Sequence, residues 1–384
     1  MGLLFGSHRR ELTLDGVGVA SRGLRKAKPR VSREKSLESS VKWACLRLRS
    51  DLVSTTPLDV YKAKPGGMLL NVDSPAVLRS PDGKRDLSEW LYASQFDLDE
   101  CGNTVGIITA RDRLGFPAVI ELVDAGSVVL RSVKGEQQWR INGEIVPAED
   151  VWHERQFVVS GAPLGLSPTA YAALTLSGGL SASEFAASWF SGQAIPAAHL
   201  RNAEKRLNKA EAAEVKASFV ETVNTGDVFV TGSDWEYSVL GAKASESAFI
   251  DMLKSSGQDL CRFYGVPADI VDVEVSTKSI TYANITQRNL QLLIHNLGPA
   301  FTRRERTFTS RLTPRGQVVK FNTDAMLRMD PTGRAELQKT AIEMRRMTVT
   351  EARALENQPP LTPEQEAEFA RLFPARSAQT GVPQ

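Results

Sequence analysis

Asp97, Asp99 and Glu100 bring three carboxylates together immediately before Cys101. A divalent cation takes oxygen ligands from a loop that converges on it. The neighbouring residues supply no such loop, so this stretch reads as a solvated acidic turn. Asp324 and Asp330 lie beside an apolar strand and are the only pair that suggests a nuclease metal site. No companion Glu, Lys or His pattern accompanies them. His8, His153, His199 and His295 are isolated from one another and from any cysteine pair. Cys45, Cys101 and Cys261 have no metal-ligand spacing and read as reduced thiols. Gly16-Val17-Gly18 lacks the third glycine of a dinucleotide fingerprint, and neither a GxxxxGK[ST] phosphate cradle nor a GxSxG elbow occurs. The residues predict no catalytic centre, no metal and no cofactor. No apolar run reaches the length of a membrane span, so no membrane partner is expected.

Periodicity and capping patterns outline the elements that must position these side chains, and together they give an α+β chain. Residues 1–35 carry Arg9, Arg10, Arg22, Arg25, Lys26, Lys28, Arg30 and Arg33 with little apolar periodicity, which predicts a flexible basic arm. Over 36–60, Val41, Cys45, Leu48 and Leu52 share one helical face behind a Ser36 cap, and Pro57 marks the exit into a strand. Asp86 and Glu89 cap a helix that begins before Trp90. Residues 103–160 read as strands, with turns at LGFP and INGE.

Ser167-Pro168 opens an Ala-, Ser- and Gly-rich helix to Phe190, suited to close packing and expected to weaken or bend at Gly178-Gly179. Residues 194–242 form a small α/β insert. In it Asn208 and Glu211 cap a helix, and DVFVT and WEYSVL are strands joined by Gly-Ser-Asp. The next helix aligns Phe249, Leu253, Leu260 and Tyr264 and stops at Gly265-Val266-Pro267. Residues 268–283 are polar and extended. A long helix then puts Leu290, Ile294, Leu297, Phe301, Phe308 and Leu312 on one face, kinked at Gly298-Pro299. After the strand VVKFNTDAML come helices with a Leu337–Ala341–Met344 stripe and caps at Thr348/Glu351 and Thr362/Gln365.

The net charge of +2 hides segregation along the chain. Residues 1–50 hold 12 Lys and Arg against 4 Asp and Glu, and residues 281–330 hold 8 against 3. Between them, residues 51–160 hold 11 against 17 and residues 161–280 hold 9 against 14. This is not one basic face gripping nucleic acid; it suits polar contacts between copies or with several partners.

Six stretches resemble, in order and spacing, the portal proteins of long-tailed double-stranded DNA phages. They are GNTVGIITARDRLGFPAVIELVDAGSV (102–128), DVWHERQFVVSGAPLGLSPTAYAA (150–173), WFSGQAIP (189–196), FYGVPADIV (263–271), ITYANITQRNLQLLIHNLGPAF (280–301) and VVKFNTDAMLRMDPTGRAELQKTA (318–341), the last followed by MTVTEARAL. The similarity covers roughly residues 40–360. The chain departs from the family where Arg346-Met347 precedes Thr348 and where Thr350 replaces the usual Asn, which puts that local turn in question.

The resemblance implies a phage portal fold and a role for each segment. After the arm, 36–165 and 284–330 would build an α/β wing, the second part carrying the long kinked helix. Residues 166–193 and 243–265 would be stem helices, 194–242 a clip, 266–283 a tunnel loop, and 331–384 a helical crown and disordered tail. It implies a non-enzymatic ring homo-oligomer, usually of twelve copies, at one capsid vertex. The partners would be the large terminase subunit, a head–tail connector or adaptor, the major capsid protein and scaffold, and double-stranded DNA passing through the channel. Lys278, with Glu274, Ser276, Thr277 and Ser279, would face the DNA channel. Lys205, Arg206, Lys209 and Lys216 would dock clip partners, and Arg303, Arg304, Arg306 and Arg311 would meet a neighbouring subunit. A phage nuclease or recombinase using Asp324 and Asp330, and a capsid or connector protein without a channel, stand as alternatives.

Overall fold

The computed structural model describes residues 11–13, 31–133, 136–190, 198–202, 208–225, 235–239, 246–273, 288, 290–323 and 331–372. The chain divides into two compact units after Phe321.

In the first unit, Ser32 caps α1 (Arg33–Leu37), and Ser39 rather than Ser36 caps α2 (Ser40–Thr55). The buried face of α2 is also not the expected one. It carries Lys42, Cys45, Leu46, Arg49, Ser50 and Val53, so it is rotated from the Val41–Leu48–Leu52 stripe toward polar residues. Asp86 caps α3 (Leu87–Cys101), its side chain accepting from the Glu89 amide at 2.8 Å, and Gly102 ends it with φ of 73°.

The strands between 103 and 155 form two antiparallel sheets. One has the order β5–β4–β9, with β4 Asn103–Arg111, β5 Pro117–Leu122 and β9 Val151–Arg155. The other joins β1 (Glu11–Thr13), β6 (Val128–Val133), β7 (Glu136–Ile141) and β8 (Glu144–Val146) in that order. Asn142 and Gly143, both at positive φ, make the two-residue β7–β8 turn that INGE predicts. Val105, Val128, Leu130, Trp139, Ile141, Val151 and Leu164 are buried in one cluster over these strands. A third sheet orders β12 (Gln317–Phe321), β2 (Leu58–Ala63) and β3 (Leu69–Val72).

Ser167 caps α4 (Pro168–Tyr171), and a break at Ala172 separates it from α5 (Ala173–Phe190). The Gly178-Gly179 pair does not interrupt α5, which stays helical through it, and Gly179 lies against Ser256 of α7 (Glu246–Tyr264). Between these helices, Asn208 and Glu211 cap α6 (Lys209–Thr225) reciprocally. WEYSV forms β11 (Trp235–Val239), paired with β10 (Ala198–Asn202), a strand with no clear sequence signal. DVFVT lies outside the described residues.

Before α8 (Gly298–Leu312), residues Leu292–Leu297 form a π-helical turn in which the Gly298 amide reaches the Leu293 carbonyl. Pro299, in the first turn of α8, donates no amide hydrogen bond. The extra residue of the π turn rotates the apolar stripe. Leu297, Phe301, Phe308 and Leu312 are buried as expected, whereas Leu290 and Ile294 turn outward and Leu292 and Asn296 take their place.

The second unit contains α9 (Pro331–Glu343), α10 (Val349–Leu355) and α11 (Pro363–Leu372). Thr348 and Glu351 form the expected capping box. The Leu337–Met344 stripe is exposed, and Ala352 is the one buried apolar residue among those described in this unit.

Candidate functional site

The three carboxylates at 97, 99 and 100 occupy the last turn of α3 and are buried, not solvated. Water is replaced by cations delivered from two other helices, α1 and α2. Lys42, fully buried on α2, places Nζ 2.6 Å from Glu100 Oε1 and 2.6 Å from Ser36 Oγ. Burial holds the lysine below its ordinary pKa, partly offset by Glu100. Arg33 of α1 reaches Glu100 (2.7 Å), Asp97 (2.9 Å) and Asp124 (2.6 Å). Burial opposes the Arg33 cation, but Glu100 and then Asp97 hold it charged. Burial pushes the Asp97 carboxyl up to about 7 against the pull of Arg33. Asp99 accepts from Arg49 Nε (2.9 Å), Gln95 Nε2 (2.9 Å) and Gln156 Nε2 (3.0 Å), while Arg49 also bonds Asn296.

A second buried cation extends this platform. Arg304 of α8 donates to Ser94 Oγ (2.6 Å), Gln95 Oε1 (3.4 Å) and Glu154 Oε1 (3.3 Å), and its guanidinium lies 5.3 Å from the Phe308 ring centre. The Trp90, Trp152 and Phe308 rings pack beside it with centroids 6.1 to 6.5 Å apart. His153 sits edge-on to Trp139 at 4.9 Å with Nε2 3.1 Å from Asn103 Oδ1, and burial lowers its pKa to about 3, leaving it neutral.

Every carboxylate of this platform is engaged by a cation or an amide. No group of three His, Cys, Asp or Glu suited to a metal occurs among the described residues. The arrangement fixes α1, α2, α3, β9 and α8 against one another and offers no free acid, base or nucleophile. Ser167 carries the same frame into the next segment, donating to the Glu100 carbonyl at 3.0 Å while capping α4.

The expected intersubunit arginines divide. Arg304 is 2% exposed and committed inside the protomer, a correction forced by its partners on α3 and β9. Arg311 is also turned inward, 4.4 Å from the Trp152 ring centre and bonded to the His153 and Val151 carbonyls. Arg306 is exposed; Arg303 is exposed with one contact of 3.5 Å to Gln156. Lys209 and Lys216 are exposed on α6. Lys205, Arg206, Glu274, Ser276, Thr277, Lys278, Ser279, Asp324 and Asp330 lie outside the described residues.

The family model described as phage portal protein matches residues 40–357. The chain belongs to the phage portal protein family. Among portal relatives, that of Enterobacteria phage HK97 is 27% identical over 351 residues, covering 86% of this chain and 81% of its own. The fold of this portal-family chain also resembles the crystal structure of an HK97-family phage portal protein from Corynebacterium diphtheriae. That match has a TM-score of 0.60 at 18% identity and covers 80% of this chain and all of the other. A chain from the neck of a native gene transfer agent particle, computed with C12 symmetry, gives a TM-score of 0.54 at 15% identity over 87% of this chain and 96% of its own. The mixed helix-and-sheet fold is therefore that of portal proteins. No described helix is long and apolar enough to cross a membrane.

Proposed function

We propose that this chain is the subunit of a portal ring, dodecameric, at one vertex of a phage capsid, where it conducts double-stranded DNA and is structural rather than catalytic. One observation within the protomer carries the ring: α5 presents an exposed stripe in which an apolar side chain is followed, one turn on, by a glycine. Leu174 is 73% exposed, and Gly178 lies four residues on, on the same face. A Cβ at Gly178 would meet nothing within 4 Å. Glycine inside a helix costs about 1 kcal/mol relative to alanine, and nothing among the described residues requires it here. Gly179 differs, since its Cβ would come 3.2 Å from Ser256 Oγ of α7. A cyclic ring joins two unlike faces of neighbouring copies. Phe263 at the end of α7, with Leu290 and Ile294, supplies a second exposed apolar set. The C12 neck relative is in keeping with twelve copies.

Gly178→Leu should therefore leave the protomer as stable or more stable by thermal unfolding, yet abolish rings in electron micrographs. Rings that persist in the variant would remove α5 from the interface. Rings with an axial channel are expected from the purified parent chain; a lone compact particle at high concentration would overturn the portal reading. Cleavage of DNA dependent on a divalent cation would favour the nuclease alternative at Asp324 and Asp330.

Within that ring, 36–165 and 284–330 form the wing, α5 and α7 the stem, 194–242 the clip, 266–283 the tunnel loop and 331–384 the crown. The division after Phe321 supports a separate crown. Lys209 and Lys216, with Lys205 and Arg206, are the docking face for the large terminase subunit and the head–tail connector. The wing meets the major capsid protein and scaffold. Residues 161–280 carry 9 Lys and Arg against 14 Asp and Glu, which twelve copies raise to about −60 around the bore. Such a lining repels phosphates and favours sliding over gripping. Lys278 is the sparse positive contact in this lining. Lys278→Ala should change the amount of DNA packaged or retained, measured by genome length per particle; unchanged packing removes that role.

A further inference from the structure

We propose that Cys45 of α2 and Cys261 of α7 are a redox pair that closes to a disulfide, stapling the end of the second stem helix to the buried ionic platform. None of the three cysteines is in a disulfide, and all are buried. Cys45 and Cys261 lie together in one cluster with Leu46, Tyr264 and Val266, whereas Cys101 lies in the separate cluster under the strands.

The helices approach closely at this point for a visible reason. One turn before Cys261, Gly257 faces Val41, which stands one turn before Cys45. A Cβ at Gly257 would lie 3.5 Å from Val41 Cγ2 and 3.3 Å from Val273 Cγ1. Contacts at 41/257 and 45/261 advance four residues along both helices in the same direction. The two helices thus run side by side in parallel, and the missing side chain at 257 draws their backbones together just before the sulfurs. A disulfide requires such an approach, with Cα atoms within about 4.4–6.8 Å.

The thiols already interact. Each sulfur bears on the other: Cys261 is the leading cause of a raised pKa at Cys45, and Cys45 of a lowered one at Cys261. Cys261 therefore loses its proton first and is the nucleophile. With hydrogen peroxide as oxidant, the Cys261 thiolate attacks one oxygen. The O–O bond breaks, leaving a sulfenic acid and a hydroxide that takes up a proton. The Cys45 sulfur then attacks the Cys261 sulfur, forming the S–S bond and expelling water as the Cys45 proton leaves. Two thiols and one peroxide yield one disulfide and two waters.

Disulfides persist outside the reducing cytoplasm, so the staple would close after particles leave the cell. If the portal reading holds, it fixes α7 immediately before the tunnel loop. The pairing itself does not depend on that reading.

The test uses the purified full chain treated with hydrogen peroxide, alkylated in denaturant and analysed by peptide mass spectrometry. The expected product links Cys45 to Cys261 and leaves Cys101 alkylated. The unfolding midpoint should rise by about 5 °C or more and fall back on reduction with dithiothreitol. Cys45→Ser and Cys261→Ser, made separately, should each abolish the rise. Three alkylated thiols after peroxide, a link involving Cys101, or oxidation stopping at sulfinic acid on either residue overturns the proposal. Imaging the same sample separates the two ideas: rings without the link sink only the pair, and the link without rings sinks only the portal reading.

Discussion

Glu100→Gln should destabilise the first unit by about 3–5 kcal/mol at neutral pH, the cost of leaving a buried cation without its counter-charge. The substitution preserves volume, so packing does not account for the loss. It removes the carboxylate 2.6 Å from Lys42 Nζ and 2.7 Å from Arg33 Nε, and one face of the new amide points donor to donor. Lys42 is fully buried, and Ser36 Oγ alone cannot offset the desolvation of an ammonium.

The pH dependence carries a definite sign. Burial holds Lys42 below its unfolded value of 10.5. The unfolded chain therefore binds more protons than the folded one between the two values, and stability rises with pH across that window. Without Glu100 the lysine sheds its proton sooner, so the gap between parent and variant should narrow as pH is raised toward 10. Urea unfolding from pH 7 to 10 measures this. A gap below about 1 kcal/mol, flat with pH, would show that the ionic platform holds nothing together; that is the range of exposed pairs such as Lys339–Glu343. Replacing Lys42 and Glu100 together by Met and Leu should cost far less than the single change, since matched apolar groups need no counter-charge.

This platform was the part least legible in the sequence. Local signals translated well: the caps at Asp86, Ser167, Asn208 and Thr348 form because each needs only a side-chain oxygen three residues from an amide. The buried face of α2 did not, because periodicity counts apolar residues and that face carries Lys42 and Arg49, whose partners lie 58 and 50 residues away. A usable signal did exist. Three acids in the final turn of α3, with no base there, oppose the helix dipole unless cations arrive from elsewhere. Read that way, Asp97, Asp99 and Glu100 call for buried Lys or Arg partners, which the charge-rich stretch from Arg33 to Arg49 supplies from the preceding helices. Arg304 was misplaced for the same reason: a run of arginines on one helix looks like a surface until Ser94, Gln95 and Glu154 are folded against it. The outward turn of Leu290 and Ile294 came from the π turn, whose one added residue shifts phase without any residue type announcing it.

Gly102→Ala should cost about 2–5 kcal/mol, and at this position two separable terms act together. The first is conformational: Gly102 has φ of 73°, where a Cβ costs about 1–2 kcal/mol. The second is steric: that Cβ would overlap the carbonyl of Leu166, while Gly165 is pressed in turn against the carbonyls of Gly102 and Gln156. These are backbone atoms and cannot rotate away, so relief means moving 165–167, which overpacking estimates put at about 1–3 kcal/mol. Gly143→Ala isolates the first term, since Gly143 has φ of 84° but a Cβ there meets nothing within 4 Å; it should lose only about 1–2 kcal/mol. The difference also bears on assembly. Segment 165–167 ends in Ser167, which bonds the Glu100 carbonyl and starts α4, so displacing it re-aims α5 and its exposed stripe. Gly102→Ala should therefore reduce ring yield beyond what its stability loss explains, whereas Gly143→Ala should leave rings intact. Equal losses at both positions, with equal ring yields, would mean that the close seat of 165–167 on Gly102 does not orient the helices.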